Sequence, residues 1–252
     1  NESADERCKK NDESGRRGHD ASLIPLPDFR QTPDRLLSHW PSAKVPGMAD
    51  VMSEKNQTPS RNGPWAVHET QTAFENPWIR VESSAVSHPD GSPGTYGVVR
   101  YANLAIGVLP IDEAGQTWIV GQHRFPFDAY SWELPEGGGP KGEEPLRAAQ
   151  RELAEETGLS AANWLALGRW HLSNSVSDEA AIGYLAWGLS EGEARPEPSE
   201  ALTVRKVAFS ELASMCLDGE ITDAFTHLIV SAALQRAQAG RLPGPVARLL
   251  MV

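Results

Sequence analysis

Residues 137 to 159 read GGGPKGEEPLRAAQRELAEETGL, and no other stretch limits the fold of this chain so tightly. It opens on a glycine-rich run. Glycines let a backbone take positive φ and come close to a ligand or to another segment. Leu, Ala, Gln, Arg and Glu follow, all good helix formers, so the composition predicts a helix over 145–157. Glu143 and Glu144 stand where its first turn begins, Pro145 suits the N1 position and Gly158 suits the C-terminal stop. Leu146, Ala149 and Leu153 recur at helical spacing and form one apolar stripe. Glu152, Glu155 and Glu156 fall on another face, because residues three and four apart on a helix are neighbours. Like charges so placed cost roughly 0.2–0.5 kcal/mol per pair. Arg151 offsets part of this by pairing with Glu155 at i+4, and a hard divalent cation offsets more, since Mg2+ prefers carboxylate oxygens. On an arbitrary helix such acids form a solvated face. Here the glycine run at fixed spacing before the helix favours a metal site.

Composition narrows the classes of partner. The 252 residues suffice for one sizeable domain with appendages, and 34 acidic against 23 basic residues leave a net charge of −11. An acidic surface disfavours nucleic acid as a partner, and it repels anionic substrates unless metal ions neutralise the site. Cys8 and Cys216 lie far apart and have no metal-ligand spacing, so a reducing, cytoplasmic setting is expected. No apolar run reaches transmembrane length and no signal h-region stands near the start, so no membrane partner is expected.

Residues 1–63 are rich in Asp, Glu, Ser, Asn, Pro and Lys without sustained periodicity, which predicts a disordered extension. Phe29 to Trp40 is its one candidate for a helical turn, and Met48 and Met52 lie just ahead of the expected order. Alternation predicts strands from Trp65 and from Trp78, then, after the His88-Pro89-Asp90-Gly91 turn, another over 95–101. Residues 64–101 thus form an antiparallel meander. Strands follow over 103–110 and 118–124, with 130–134 leading to a glycine loop over 134–140. After the helix come strands over 164–172, 180–189 and 202–209, with a Pro/Glu-rich loop over 191–200. Helices are expected over 210–218, with Ser210 as N-cap, and over 222–239, then a Pro-containing tail over 240–252. Strands, a helix, more strands and terminal helices predict an α+β protein, a mixed α/β/α sandwich.

The run from Gly137 to Leu159 matches G-x5-E-x7-R-E-U-x-E-E-x-G-U at every fixed position, with U aliphatic. In this it resembles the Nudix hydrolases, which cleave a nucleoside diphosphate linked to another group. The resemblance implies the Nudix fold, a mixed sheet between helices, here with an N-terminal β-meander and a hydrolase domain over 102–239. The meander, Gln122-His123-Arg124-Phe125, Trp132-Glu133-Leu134-Pro135 and the Gly219-Glu220-Ile221-Thr222-Asp223 helix start are similar to the ADP-ribose pyrophosphatase branch. The box is specific to the superfamily; these flanking motifs are softer.

The resemblance implies a metal site for Mg2+, or Mn2+, built from the backbone carbonyl of Glu136 and the carboxylates of Glu152 and Glu156, with Glu155 completing or orienting the cluster. Arg151 orients a glutamate. Glu143 either joins the metal shell or favours the helix start. The branch takes a further glutamate from a loop after the box as base or metal ligand; Glu179 matches it best, with Asp178 the alternative. That loop, Ser173 to Glu179, is polar, as mobile catalytic loops often are. Many ADP-ribose pyrophosphatases carry a proline there, whereas this chain has Asn174 and Ser175, a departure that bears on the substrate. Arg124 is a candidate phosphate ligand, since Arg binds phosphate bidentately. Glu133, Trp132, Gly137 and Gly138 are expected at the rim, with a core position the commoner fate of a strand Trp. Trp78 is expected to pack a dimer interface rather than stack on a base, and His68, His123 and His171 to have surface or structural roles.

The implied activity is metal-dependent hydrolysis of a nucleoside diphosphate sugar, with ADP-ribose favoured, by a homodimer paired through residues 64–101. The alternatives are a pyrophosphatase for dinucleotides or dinucleoside polyphosphates and a non-catalytic ADP-ribose-sensing module. The intact acids argue against the last.

Overall fold

The computed structural model describes residues 58–195 and 201–251. Of the extension expected over 1–63, residues 1–57, with the candidate turn and methionines, lie outside the described residues, as does 196–200 of the Pro/Glu-rich loop. In chain order the strands are β1 (Ser60–Asn62), β2 (Trp65–Glu75), β3 (Ile79–Ser87), β4 (Pro93–Tyr101), β5 (Asn103–Ile111), β6 (Gln116–Arg124), β7 (Ala129–Glu133) and β8 (Glu136–Pro140). Helix α1 (Pro145–Thr157) follows, then β9 (Leu159–His171), β10 (Ala180–Glu191) and β11 (Thr203–Ala208). The chain closes with α2 (Phe209–Leu217), α3 (Ala224–Gln238) and α4 (Gly244–Leu250).

The described residues form three sheets, with strand orders β1-β2-β3-β4, β8-β5-β10-β9 and β11-β6-β7. The first is the expected antiparallel meander, and it begins earlier than composition implied, because Asn62-Gly63 turns β1 back onto β2 with Gly63 at φ 56. In the second, β5 and β10 run parallel, while β8 and β9 flank them antiparallel.

Alternation along β5 decides the layering, because successive strand residues face opposite sides. Ile106 and Val108 pack with Ala148, Ala149 and Leu153 of α1. Leu109 and Ile111 join the other cluster, with Phe225, Ile229 and Ala233 of α3. Gly107 faces α3 so closely that a Cβ would lie 2.6 Å from Ile229 and 2.8 Å from Phe225. The mixed sheet thus lies between α1 and α3, the expected sandwich. Each fully buried aliphatic side chain, such as Leu153 or Ile229, contributes roughly 1.5–3 kcal/mol.

Three local expectations change. The glycine run forms strand β8 rather than a loop: Gly139 packs so tightly that a Cβ would meet Ile106 at 2.9 Å and Ala148 at 3.2 Å, which lets α1 lie against the sheet. Helix α2 begins at Phe209, 1% exposed, with Ala208 rather than Ser210 at the N-cap. The C-terminal segment is a helix docked on the core, because Leu242, Val246 and Leu250 recur every four residues and all three are buried.

Candidate active site

Helix α1 starts and stops where its sequence signals stand. The Glu144 side chain accepts from Arg147 N at 3.1 Å, Pro145 occupies the first turn and Gly158 ends the helix at φ 74. This fixes the rotation of the acidic face. Glu152 and Glu156 are buried, while Glu155 is half-exposed. Arg151 gathers the acids: Nη1 donates to Glu152 Oε1 at 2.8 Å and to Glu155 Oε2 at 3.0 Å. Its Nη2 donates to Gly138 O at 2.9 Å and reaches Glu143 Oε2 at 3.5 Å, tying α1 to β8. Burial alone would lower the pKa of Arg151, but the carboxylates of Glu152 and Glu155 outweigh it and keep the guanidinium charged.

The start of β8 lies against the same acids. Glu136 N donates to Glu156 Oε2 at 3.0 Å. A Cβ at Gly137 would fall 2.2 Å from the carboxyl carbon of Glu152. Glu136 N–H and the Gly137 Cα, on either side of the peptide that links these residues, thus lie against Glu156 and Glu152.

Arg124 closes the far side. Its Nε donates to Glu133 Oε1 at 2.9 Å and Oε2 at 3.1 Å, and its Nη2 to Glu133 Oε2 and, at 3.0 Å, to Glu136 Oε1. The hydrogen bonds to Glu133 raise the pKa of Arg124 against the effect of burial. Burial, then the charges of Asp223 and Glu133, push the Glu136 carboxyl well above the usual range, and Glu136 Oε2 is buried without a hydrogen-bond partner.

Asp223, in the sequence only the end of a helix-start motif, is a further acid of the site. It caps α3, accepting from Thr226 N at 2.6 Å, and its charge acts on both Glu136 and Glu179. Thr226 Oγ1 accepts from Leu134 N at 2.9 Å, fixing α3 against the approach to β8. An Asp ahead of a helix was a visible capping signal; its meeting with residues from the box was not.

Glu179 and Asp178 have different surroundings. Burial first and Asp223 second raise the Glu179 carboxyl, and Glu179 in turn helps raise the Tyr101 hydroxyl. Asp178 Oδ1 instead accepts from Tyr101 N at 2.8 Å, and Oδ2 lies 3.8 Å from Arg100 and from Lys141. The loop expected to be mobile is fastened to the meander: Val99 N donates to Val176 O at 2.8 Å and Tyr96 Oη to Ser175 O at 2.7 Å. Between meander and loop lies a cavity of about 480 Å3, lined among others by Trp65, Tyr96, Arg100, Asn174 and Ser177.

Trp132 stands apart from the acids. Adjacent strand residues face opposite ways, so with Glu133 turned to Arg124, Trp132 faces the other side of β7. It is partly buried against the core cluster, edge-on to Tyr130 at 5.5 Å and under the Arg205 guanidinium at 5.9 Å. Trp78 is 68% exposed. His68 bonds Ser87 and His123 bonds Asp128, both at the surface.

The donors suit a hard divalent cation: they are oxygens, anionic and close to one glycine peptide. Among the described residues no three His, Cys, Asp or Glu side chains already stand as a metal cage. The reason is visible, since Arg151 draws Glu152 and Glu155 towards itself and Glu156 holds the Glu136 amide. A cation would compete with these hydrogen bonds for the same oxygens. Among the described residues no helix is long and apolar enough to cross a membrane.

Comparison with known proteins agrees with this arrangement. Residues 102–225 match the NUDIX domain model, and residues 65–99 match a nucleoside diphosphate sugar hydrolase N-terminal domain model. The chain is 36% identical over 141 residues to an ADP-ribose pyrophosphatase of Mycobacterium tuberculosis, covering 55% of this chain and 68% of that one. It is 32% identical over 143 residues to an ADP-ribose pyrophosphatase of Bacillus subtilis, covering 56% and 77%. A CMP-5'-(N-acetyl-N-hydroxy-3-aminopropyl)phosphonate hydrolase of Streptomyces rubellomurinus is 28% identical over 180 residues, 71% of this chain and 87% of that one. A solved structure, an ADP compounds hydrolase, shares the fold at TM-score 0.63 and 18% identity, covering 75% of this chain and all of that one. With the box on α1, the glycine strand beside it and relatives aligned over most of their own length, this chain belongs to the Nudix hydrolases.

Proposed function

We propose that this Nudix hydrolase cleaves, with Mg2+ or Mn2+, the pyrophosphate bond of a nucleoside diphosphate joined to another group, with ADP-ribose the favoured substrate. The contact of Glu136 N–H with Glu156 and the close approach of Glu152 to Gly137 carry this reading. In it the Glu136 carbonyl and the carboxylates of Glu152 and Glu156 would hold the cation, and Glu155 would complete the set. Such a cation lowers the pKa of a bound water and balances phosphate charge. Glu179 takes the proton of the attacking water. Arg124, braced by Glu133 and Glu136, contacts a phosphate, with Gly137 and Gly138 completing the proposed substrate site. The nucleoside enters the cavity between the meander and the loop that carries Glu179. The two pyrophosphatase relatives, and the sugar-hydrolase model over the meander, support ADP-ribose.

The same proposal makes the protein a cytoplasmic homodimer. Support for pairing through the meander is the outward run of β2 from His68 to Glu75, with Phe74 53% exposed. The relative from Streptomyces rubellomurinus favours a second reading, in which a nucleoside monophosphate is joined to a phosphonate.

A panel of ADP-ribose, other nucleoside diphosphate sugars, dinucleotides and a CMP-phosphonate anhydride, assayed with Mg2+, tests this. ADP-ribose should turn over fastest, giving AMP and ribose 5-phosphate. Preference for the CMP anhydride selects the second reading, and no hydrolysis of any compound defeats both.

A further inference from the structure

We propose that Asp178 is a positioning residue: its carboxylate pins the loop to the end of β4 and to Lys141 beside the glycine strand, and so aims Glu179 into the site. This rests on reading Glu179 as the base. Asp178 is where three segments meet. Its Oδ1 accepts from Tyr101 N at 2.8 Å, and its Oδ2 faces Arg100 Nη1 and Lys141 Nζ, each at 3.8 Å. Lys141 follows β8 directly and donates to Tyr101 O at 2.5 Å, so one lysine touches both halves of the joint. Arg100 is held from behind by Glu82 at 2.9 Å. The Asp178 backbone is tied too, donating to Val99 O at 3.2 Å.

The next residue inherits this order. Glu179 O accepts from Leu172 N at 3.1 Å, so the loop is fixed on both sides of the pair. Asp178 faces Tyr101 N, and Glu179, the next residue, lies near enough to Asp223 for that charge to act on its carboxyl, as it also acts on Glu136. A general base works only within hydrogen-bond reach of its proton, and an error of about 1 Å lowers rates on the order of a hundredfold. Lys141 stands in the chain between the glycine strand and the acidic helix, so the clamp ties the loop to the segment that joins them.

The test compares kcat and KM of the full chain with Asp178→Ala, Asp178→Asn, Glu179→Gln and the Asp178→Ala/Glu179→Gln pair, at saturating Mg2+ and matched circular dichroism. Asn keeps an oxygen for Tyr101 N but cannot accept a proton as a base. Asp178→Asn should therefore stay within about fivefold of the native kcat, while Asp178→Ala falls about 10- to 100-fold with KM within about threefold. In the Glu179→Gln background the added effect of Asp178→Ala should shrink below about threefold, because it acts through Glu179. A fully active Asp178→Ala, an Asp178→Asn as inactive as the alanine variant, or strictly multiplicative effects overturn the clamp. A fully active Glu179→Gln overturns the base reading and the clamp together, whereas an impaired one with multiplicative effects overturns the clamp alone. If Asp178→Ala does not fold, Asp178→Asn/Lys141→Met takes its place. That pair should lose about tenfold in kcat, and native turnover in it overturns the proposal.

Discussion

Glu136 donates its backbone N–H to Oε2 of Glu156 at 3.0 Å, joining the first residue of the glycine strand to the last glutamate of the acidic helix. The bond orients the carboxylate and the peptide together. Gly137 completes the contact from the other side, since only hydrogen fits between its Cα and the Glu152 carboxylate. A site built this way depends on charge at two helix positions and on the absence of a side chain at one strand position.

Charge is the first test. Glu152→Gln and Glu156→Gln each remove an anionic oxygen from the proposed metal set but keep the shape of the side chain. The amide oxygen at 156 can still accept from Glu136 N. Each variant should lose at least about a hundredfold in kcat with its circular dichroism unchanged. Near-native turnover in either folded variant would move the metal elsewhere.

Gly137→Ala tests shape. The added methyl would stand 2.2–2.5 Å from the three carboxyl atoms of Glu152. Those atoms end a flexible side chain, so the carboxylate swings away and the backbone stays. The fold should survive, while kcat falls about 10- to 100-fold and the Mg2+ concentration for half-maximal rate rises. Loss of folding instead would show that the glycine serves packing alone.

How much of this was legible in the sequence follows from the range of each interaction. Helix α1 runs from Pro145 to Thr157 as composition predicted, because its signals, Glu144, Pro145 and Gly158, act within a turn. Gly137–Gly139 looked like a loop, because nothing local shows that β5 lies alongside to pair with them. The C-terminal helix was hidden behind Pro243 and Gly244, its stability coming from core contacts of Leu242, Val246 and Leu250. Trp132 and Glu133 had to face opposite ways, but which one faced the acids depended on Arg124. Asp223 could be read as a cap, and its approach to Glu136 and Glu179 is a product of packing alone.

Assembly gives a third prediction. Strand β2 is exposed from His68 to Glu75, and Trp78 beyond it is 68% exposed. Such surface on a small sheet is more often covered than left in water. Light scattering of the full chain should give twice the monomer mass, and Phe74→Glu/Trp78→Glu should reduce it to one. A monomer at high concentration in the native chain would remove the homodimer.

The last prediction joins Glu179 to Asp223 through pH. Burial first, and the negative charge of Asp223 second, hold the Glu179 carboxyl above the ordinary carboxylate range. A base must be ionised to accept a proton, so kcat should rise with pH as Glu179 deprotonates. A raised pKa moves that acid limb upward, above the value of about 4.3 for a free glutamate. Asp223→Asn removes one cause of the shift and leaves the burial, so the limb should move to lower pH without disappearing. Asn caps helices about as well as Asp, so the bond to Thr226 N and the melting temperature should be largely kept. Glu179→Gln should flatten the limb as it lowers the rate. The measurement is a pH–rate profile of the three proteins at saturating substrate and Mg2+. A limb that stays in Glu179→Gln belongs to another group, and one that moves upward in Asp223→Asn reverses the electrostatics argued here.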